Sequence, residues 1–137
     1  MIIVDFEGEP SRPADERRTK STPLRDVAGM LRSFAYGAET VTRGIAARFS
    51  DSEERARRAS IAWRGMIDAA FLDGYREAVS VSRAAVTDPE TESRLLKLSL
   101  MTKALYEVDY EANNRPDWIE IPARGVLNIL DEIKKGV

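Results

Sequence analysis

The sequence predicts a mainly α-helical domain with a short strand or hairpin at its N-terminus. Apolar residues recur at steps of three or four through most of residues 23–137, which is the period of an amphipathic helix. Only residues 2–5 (IIVD) combine consecutive β-branched side chains with a following glycine-containing turn, as a strand does. A length of 137 residues favours a single domain. We therefore assign residues 1–22 to a strand, an acidic turn and a loop, and residues 23–137 to a helical body.

The composition excludes several kinds of chemistry. The chain has no cysteine and no histidine, which excludes disulfides, thiolate or imidazole metal sites and histidine general bases. A net charge of −2, with both signs interspersed, gives no electrostatic case for nucleic acid or an anionic membrane. No run approaches the ~20 apolar residues of a membrane span, and no signal peptide pattern is present. We therefore expect a soluble cytoplasmic protein.

Capping residues predict where the helices begin and end. The pairs TP at residues 22–23 and DP at residues 88–89 fit an N-cap followed by a first-turn proline. Residues 50–54 (SDSEE) contain two capping-box spacings, which predict a second helix reaching about residue 80. The third helix is expected to end before residues 115–118 (RPDW), and Pro122 is expected to open the last.

Four apolar stripes are expected to form the core, since packing rather than propensity supplies most helical stability. The residues expected to face inward are Leu24, Val27, Leu31, Phe34, Ala38, Val41, Ile45 and Phe49 in the first helix, Ala59, Ala62, Trp63, Met66, Ile67, Ala70, Phe71 and Tyr75 in the second, Leu95, Leu98, Met101, Leu105 and Tyr106 in the third, and Val126, Leu127, Leu130 and Ile133 in the last.

The acidic turn at residues 5–9 (DFEGE) is the first stretch that could carry chemistry. Phosphoryl transfer needs a carboxylate to hold the metal ion that bridges the nucleotide phosphates. With no histidine or cysteine, such a metal would be a hard cation, for example magnesium. The simpler interpretation is a hairpin turn with acidic residues facing water, and the local pattern favours it about two to one.

Two further stretches carry charged residues on helices. In residues 21–34, the charges of Arg25, Asp26 and Arg32 fit the solvated face of a capped core helix. In residues 103–118, two glutamates lie four apart on one helix face and two tyrosines on the neighbouring face, with Trp118 nearby. Such groups suit a sugar, whose hydroxyls and apolar faces must both be met. A solvated face with tyrosines covering the core explains the same pattern equally well.

Several strings, taken together and in order, resemble the C-terminal lobe of maltokinases, which are bacterial ATP-dependent kinases that phosphorylate maltose and are often fused to trehalose synthase. The strings are DFEGEP (5–10), PLRDVAGMLRSF (23–34), FLDGYR (71–76), KALYE (103–107) and NRPDW (114–118) followed by IP (121–122). The resemblance covers essentially the whole chain. It implies the helical C-terminal lobe of a two-lobed, kinase-like fold similar to that of aminoglycoside phosphotransferases.

The resemblance also implies roles for particular residues. Asp5 would be a magnesium ligand and Glu7 a candidate second ligand. The residues expected to border the maltose pocket are Lys103, Tyr106, Glu107 and Glu111. The resemblance implies ATP and Mg²⁺ as cofactors of the whole kinase. It does not imply that this chain alone binds either of them.

In such kinases an ATP lobe and a catalytic loop precede the acidic turn, whereas this sequence begins at that turn. We therefore expect a truncated or split maltokinase-like domain of trehalose, maltose and α-glucan metabolism, inactive alone because the groups that position the phosphoryl are absent. The expected partners are maltose or a related α-glucoside, and either an N-lobe polypeptide or a second copy of the chain. The alternative is a non-catalytic helical module that self-associates or binds sugar, since self-association would hide an open strand edge and uncovered apolar surface.

Overall fold

The computed structural model describes residues 13–135, which are helical and contain no strand. The prediction of a mainly α-helical chain is therefore confirmed, while the predicted strand at residues 2–5 lies outside the described residues. The helices of the described part are α1 (Ala14–Arg18), α2 (Leu24–Ala46), α3 (Glu53–Val79), α4 (Pro89–Asn114) and α5 (Glu120–Lys135). Short 3₁₀ turns, Ser50–Ser52 and Pro116–Trp118, precede α3 and α5.

Helix α2 is the central element of the bundle. It packs against both α3 and α4, and α5 packs against α4. The rings of Phe34 in α2 and Phe71 in α3 meet edge to face, with centroids 5.6 Å apart, which is a favourable aromatic geometry. The buried core cluster consists of Leu24, Val27, Ala28, Leu31 and Leu96, with Phe34, Phe71, Leu72, Tyr75, Val86, Leu95 and Leu100 packed around it.

The predicted start of the third helix is confirmed. Asp88 is its N-cap, Pro89 follows, and an Asp88 carboxylate oxygen accepts a hydrogen bond from the Thr91 N–H at 2.8 Å. Helix α2 begins at Leu24, one residue later than predicted, and Pro23 takes the N-cap position. The Thr22 hydroxyl accepts a hydrogen bond from the Leu24 N–H at 3.3 Å.

The capping box predicted in residues 50–54 is wrong. Helix α3 begins at Glu53 after a 3₁₀ turn, so Ser52 takes the N-cap position, and its side chain makes no capping hydrogen bond. Its hydroxyl instead accepts from Arg55 Nη2 at 3.3 Å.

The predicted inward faces are correct for the first half of α2 and only in part for α4, where Leu95 packs on the core, and for α5. In α4, Leu98 and Leu105 are more than half exposed, and the buried residues are Leu96, Ala104 and Glu111. Helix α5 begins at Glu120, and the face that it buries is Ile121, Pro122, Gly125 and Ile129, whereas Leu127, Leu130 and Ile133 are exposed. Both buried faces include a residue that apolar periodicity cannot predict, Glu111 in α4 and Gly125 in α5.

Within residues 13–135, no helix has the length and apolar character required to cross a membrane.

Candidate sugar-binding face

A buried arginine in the middle of α2 joins three helices. Arg32 is 3% exposed, and its Nε donates a hydrogen bond to Oε2 of Glu107 in α4 at 2.8 Å. Its Nη2 lies 2.7 Å from the same oxygen as an ion pair but has no acceptor in hydrogen-bond geometry. The guanidinium also lies against Gly125 of α5, where any Cβ would overlap it. Arg32 and Glu107 therefore hold α2, α4 and α5 in register.

The prediction that Arg32 lies on a solvated face is wrong. Arg32 stands four residues after Ala28 and three before Ala35, and both alanines are buried. An arginine inside the apolar stripe, rather than beside it, was the sequence signal that indicated burial.

A second buried carboxylate lies one turn further along α4. Glu111 is 2% exposed and accepts two hydrogen bonds from Arg115, at 2.9 Å from Nε and 2.7 Å from Nη2. The Tyr36 hydroxyl of α2 donates a third, at 3.2 Å. A fork of two parallel bonds from an arginine is the strongest common pairing for a carboxylate. The burial of this charge is thereby compensated.

The two carboxylates and the tyrosine between them affect one another. Burial raises the pKa of Tyr36, and the negative charges of Glu107 and Glu111 raise it further, so the phenol stays protonated and acts as a donor. Burial also raises the pKa of Glu107, although the Arg32 guanidinium opposes this shift. The loss of water around Glu107 thus outweighs the charge pairing, as is common for buried ion pairs.

Outside this buried layer, aromatic rings and cations alternate along α4 and the turn that follows it. The Lys103 ammonium lies 5.1 Å from the Tyr106 ring centroid, and the Tyr106 and Tyr110 rings stack at 6.3 Å. The Arg115 guanidinium lies 5.8 Å from the Tyr110 ring and 5.4 Å from the Trp118 ring. We call this series, Lys103, Tyr106, Tyr110, Arg115 and Trp118, the aromatic row.

A polar cleft opens at the end of the aromatic row. Arg43 of α2 lies 6.0 Å from the Trp118 ring and donates from Nη1 to the Asp117 carbonyl at 3.2 Å. Its Nη2 donates to Glu120 at 3.1 Å. The cleft has a volume of about 340 Å³, and its charged lining residues are Glu39, Arg43, Glu53, Arg57, Glu120 and Arg124. An aromatic face beside interleaved carboxylates and guanidinium groups can meet both the apolar face and the hydroxyls of a sugar.

The predicted substrate residues fall into two layers of α4. Glu107 and Glu111 share one helix face, as the sequence predicted, but both are inside the bundle and bonded to arginines. Lys103 and Tyr106 belong to the aromatic row on the neighbouring face. Whether these four residues bind a sugar stays a prediction.

The predicted magnesium ligands Asp5 and Glu7 lie outside the described residues. Within residues 13–135 no three carboxylates are grouped so that they could hold a metal ion.

Three residues of this region were not predicted from the sequence as parts of the site. They are Tyr36, Arg43 and Arg115, which supply the third bond to Glu111, the link to the polar cleft and the fork on Glu111. Arg115 was identifiable, because it stands four residues after Glu111 and follows it on the same helix face. Tyr36 and Arg43 are more than 70 residues away from their partners in sequence, and local spacing carries no signal for them.

Comparison with known proteins shows that the sequence of this chain is similar to those of sugar kinases. It is 29% identical over 130 residues to a protein named glucosamine kinase from Streptacidiphilus jiangxiensis, which covers 95% of this chain and 27% of that protein. It is 30% identical over 136 residues to a glucosamine kinase from Mycolicibacterium smegmatis, covering 96% of this chain and 30% of that protein. The chain thus spans less than a third of the length of these curated relatives. No family model matches it.

The chain is therefore similar to sugar kinases over nearly all its length. This agrees with the kinase-like relation inferred from the sequence strings, at the level of sugar kinases. The narrower relation to maltokinases stays a prediction.

Proposed function

We propose that this chain is the part of an ATP-dependent sugar kinase that recognises the sugar acceptor. The observation that carries the proposal is the aromatic row, which ends at the polar cleft and lies over two buried carboxylates. The similarity to glucosamine kinases supports a sugar as the ligand. The buried Arg32–Glu107 pair acts beneath this face as a support, because it fixes the helix that presents the tyrosines.

The ligand class is a glucose-derived sugar. The relatives are named for glucosamine, and the sequence strings resemble enzymes that act on maltose. Both sugars present a glucose ring, whose apolar face can stack on Tyr110 or Trp118 while its hydroxyls meet the cleft. An amino sugar would add a cation, for which the cleft offers the carboxylates of Glu39, Glu53 and Glu120.

The direct test is titration of the chain with glucosamine, glucose and maltose, followed by amide chemical shifts in two-dimensional NMR. We expect shifts along residues 103–118 and weak affinity, because the face is open. Tyr110→Ala should weaken binding about 2- to 12-fold, which corresponds to the ~0.5–1.5 kcal/mol of an aromatic contact.

Ile61→Ala is the matched control, because Ile61 is an exposed apolar residue of α3, 60% open to solvent, that belongs neither to the aromatic row nor to the polar cleft. Its binding should equal that of the unchanged chain. Shifts that are absent for all three sugars, or equal losses in both variants, would contradict the proposal.

The proposal includes ATP and Mg²⁺ only because the chain resembles kinases, which use both. Asp5 and Glu7 are the proposed magnesium ligands, since carboxylates are the oxygen donors that this ion requires. Replacing Mg²⁺ with paramagnetic Mn²⁺ should broaden NMR signals of residues near position 5, and Asp5→Asn should abolish the effect. Broadening that persists in this variant would assign the metal elsewhere.

A further inference from the structure

Helix α3 carries an exposed apolar stripe beside the half-buried face that packs on α2. Ala59, Trp63, Met66 and Ala70 follow one another at steps of four, three and four, and all are exposed, with Trp63 47% and Met66 74% open to solvent. We call these four residues the α3 seam. The sequence predicted them as core, but the face that packs on α2 is formed by neighbouring positions such as Ser60, whose hydroxyl donates to the Ala38 carbonyl at 2.8 Å.

We propose that the α3 seam binds a second copy of this chain, with the two α3 helices antiparallel about a point between residues 64 and 65. Alternating steps of three and four residues are the spacing by which two helices interlock their side chains. An antiparallel pair places Trp63 of each copy against Met66 of the other and Ala59 against Ala70. Large residues then fill the centre, where methionine sulfur and an aromatic ring attract each other, and alanines at both ends let the helices approach.

The charges beside the seam favour this direction. Arg55 and Asp73 lie on the same flank of α3 at opposite ends of the seam, separated by five turns of helix. Antiparallel pairing brings Arg55 of one copy to Asp73 of the other, whereas parallel pairing would bring like charges together. Asp73 is available for this contact, because its side chain is 80% exposed and its ion pair with Arg76 is long, at 3.9 Å.

Apolar surface extends beyond both ends of the α3 seam. An apolar groove lined by Ile45, Phe49 and Ala56 adjoins its N-terminal end. Phe49 is 62% exposed and Val81, just beyond the other end of α3, is 93% exposed. Antiparallel pairing brings the end of α3 near Phe49 in one copy to the end near Val81 in the other. Because a two-helix contact lies at the small end of stable interfaces, we expect a reversible dimer with a Kd on the order of 10–100 μM.

Sedimentation equilibrium of the chain between about 5 and 500 μM tests the association. The average mass should rise toward that of a dimer. Met66→Glu should weaken association at least tenfold. Ile61→Glu is the matched control, because Ile61 is an exposed apolar residue, 60% open, on the opposite side of the same helix. It should dimerise as the unchanged chain does, and circular dichroism should show that both variants are folded. A chain that stays monomeric at 500 μM overturns the proposal and leaves the seam for a different partner.

Cysteine cross-linking tests the direction, and the absence of cysteine from the chain makes it unambiguous. An Ala59→Cys chain mixed with an Ala70→Cys chain should form a mixed disulfide under mild oxidation. Ala59→Cys alone should form far less of the homodimer, since the two positions lie at opposite ends of the pair. Equal self-cross-linking of Ala59→Cys would overturn the antiparallel arrangement.

Discussion

At the scale of single residues, the molecule depends on one charge placed where an apolar residue would be expected. Arg32 occupies the buried stripe of α2 and is 3% exposed, and its partner Glu107 is also largely removed from water. Burial raises the pKa of Glu107 in spite of the Arg32 guanidinium, and a buried ion pair offsets its attraction with the hydration that both charges lose. The pair therefore specifies how three helices fit rather than adding much net stability.

Removing one member of this pair should be much worse than removing both. Arg32→Met leaves the Glu107 carboxylate buried without its cation, and we expect a loss of about 3–5 kcal/mol in the free energy of unfolding. Arg32→Met combined with Glu107→Leu should stay within about 1 kcal/mol of the unchanged chain. Urea unfolding followed by circular dichroism measures both.

The single variant should also gain a pH dependence. Without Arg32, the pKa of Glu107 in the fold rises further above its unfolded value, because Arg32 is the main group that lowers it. The fold then binds a proton more tightly than the unfolded chain, so stability increases as pH falls through that raised pKa and decreases as pH rises. Equal losses in the single and double variants would contradict this account of the pair.

The Gly125 position should be equally intolerant for a steric reason. A Cβ there would overlap the Arg32 guanidinium, which cannot move aside while it holds Glu107. We expect Gly125→Ala to lower the free energy of unfolding by about 1–3 kcal/mol. Gly37→Ala in α2 is the control, since nothing lies within 4 Å of an added Cβ there, and it should raise stability by about 0.5–1 kcal/mol. Two changes of the same sign would indicate that the Arg32 contact is not limiting.

At the scale of helices, sequence signals located the ends better than the faces. A side-chain cap acts within three residues, so Asp88 and Pro89 were sufficient to place the start of α4, and residues 115–118 its end. The inward face depends on what the neighbouring helix offers. Leucines stand on several sides of α4, and the face that was buried is the one that carries Ala104 and Glu111. Apolar periodicity cannot predict a buried glutamate whose partners lie in another helix.

The Asp88 N-cap of α4 should make the stability of the fold depend on pH in the acid range. The hydrogen bond from Thr91 lowers the pKa of Asp88 below its ordinary value of 3.8. A carboxyl with a lowered pKa contributes stability above its unfolded pKa and loses it as pH falls through the folded pKa. Asp88→Ala should therefore lower the urea midpoint at pH 7, and the difference from the unchanged chain should shrink as the pH falls below 3.8.

Ser52→Ala serves as the control for this cap, because the Ser52 side chain makes no capping bond at α3. Ser52→Ala should leave the urea midpoint unchanged both at pH 7 and in acid. A loss equal to that of Asp88→Ala would show that the geometry at the two helix starts does not decide their stability.

At the scale of the whole molecule, the bundle carries two surfaces of different character. Helix α4 and its following turn present aromatic rings, cations and carboxylates, whereas α3 presents an apolar seam. The sequence predicted that Tyr106 and Tyr110 would share a face with acidic residues nearby, since that follows from helical spacing alone. It did not predict the α3 seam as a surface, because an apolar residue at helical spacing is read as core until the neighbouring helices are known.

The two surfaces should act independently, because the aromatic row and the polar cleft share no residue with the α3 seam. Met66→Glu should abolish dimerisation and leave the sugar titration unchanged, while Tyr110→Ala should weaken sugar binding and leave the dimer intact. Sedimentation and NMR titration of both variants at a fixed concentration measure the four outcomes. If Met66→Glu also lowers the affinity for the sugar, the dimer supplies part of the sugar site. The proposed acceptor face on a single copy is then incomplete. If Tyr110→Ala also dissociates the dimer, the dimer contact extends beyond α3 and the antiparallel pairing about residues 64 and 65 is wrong.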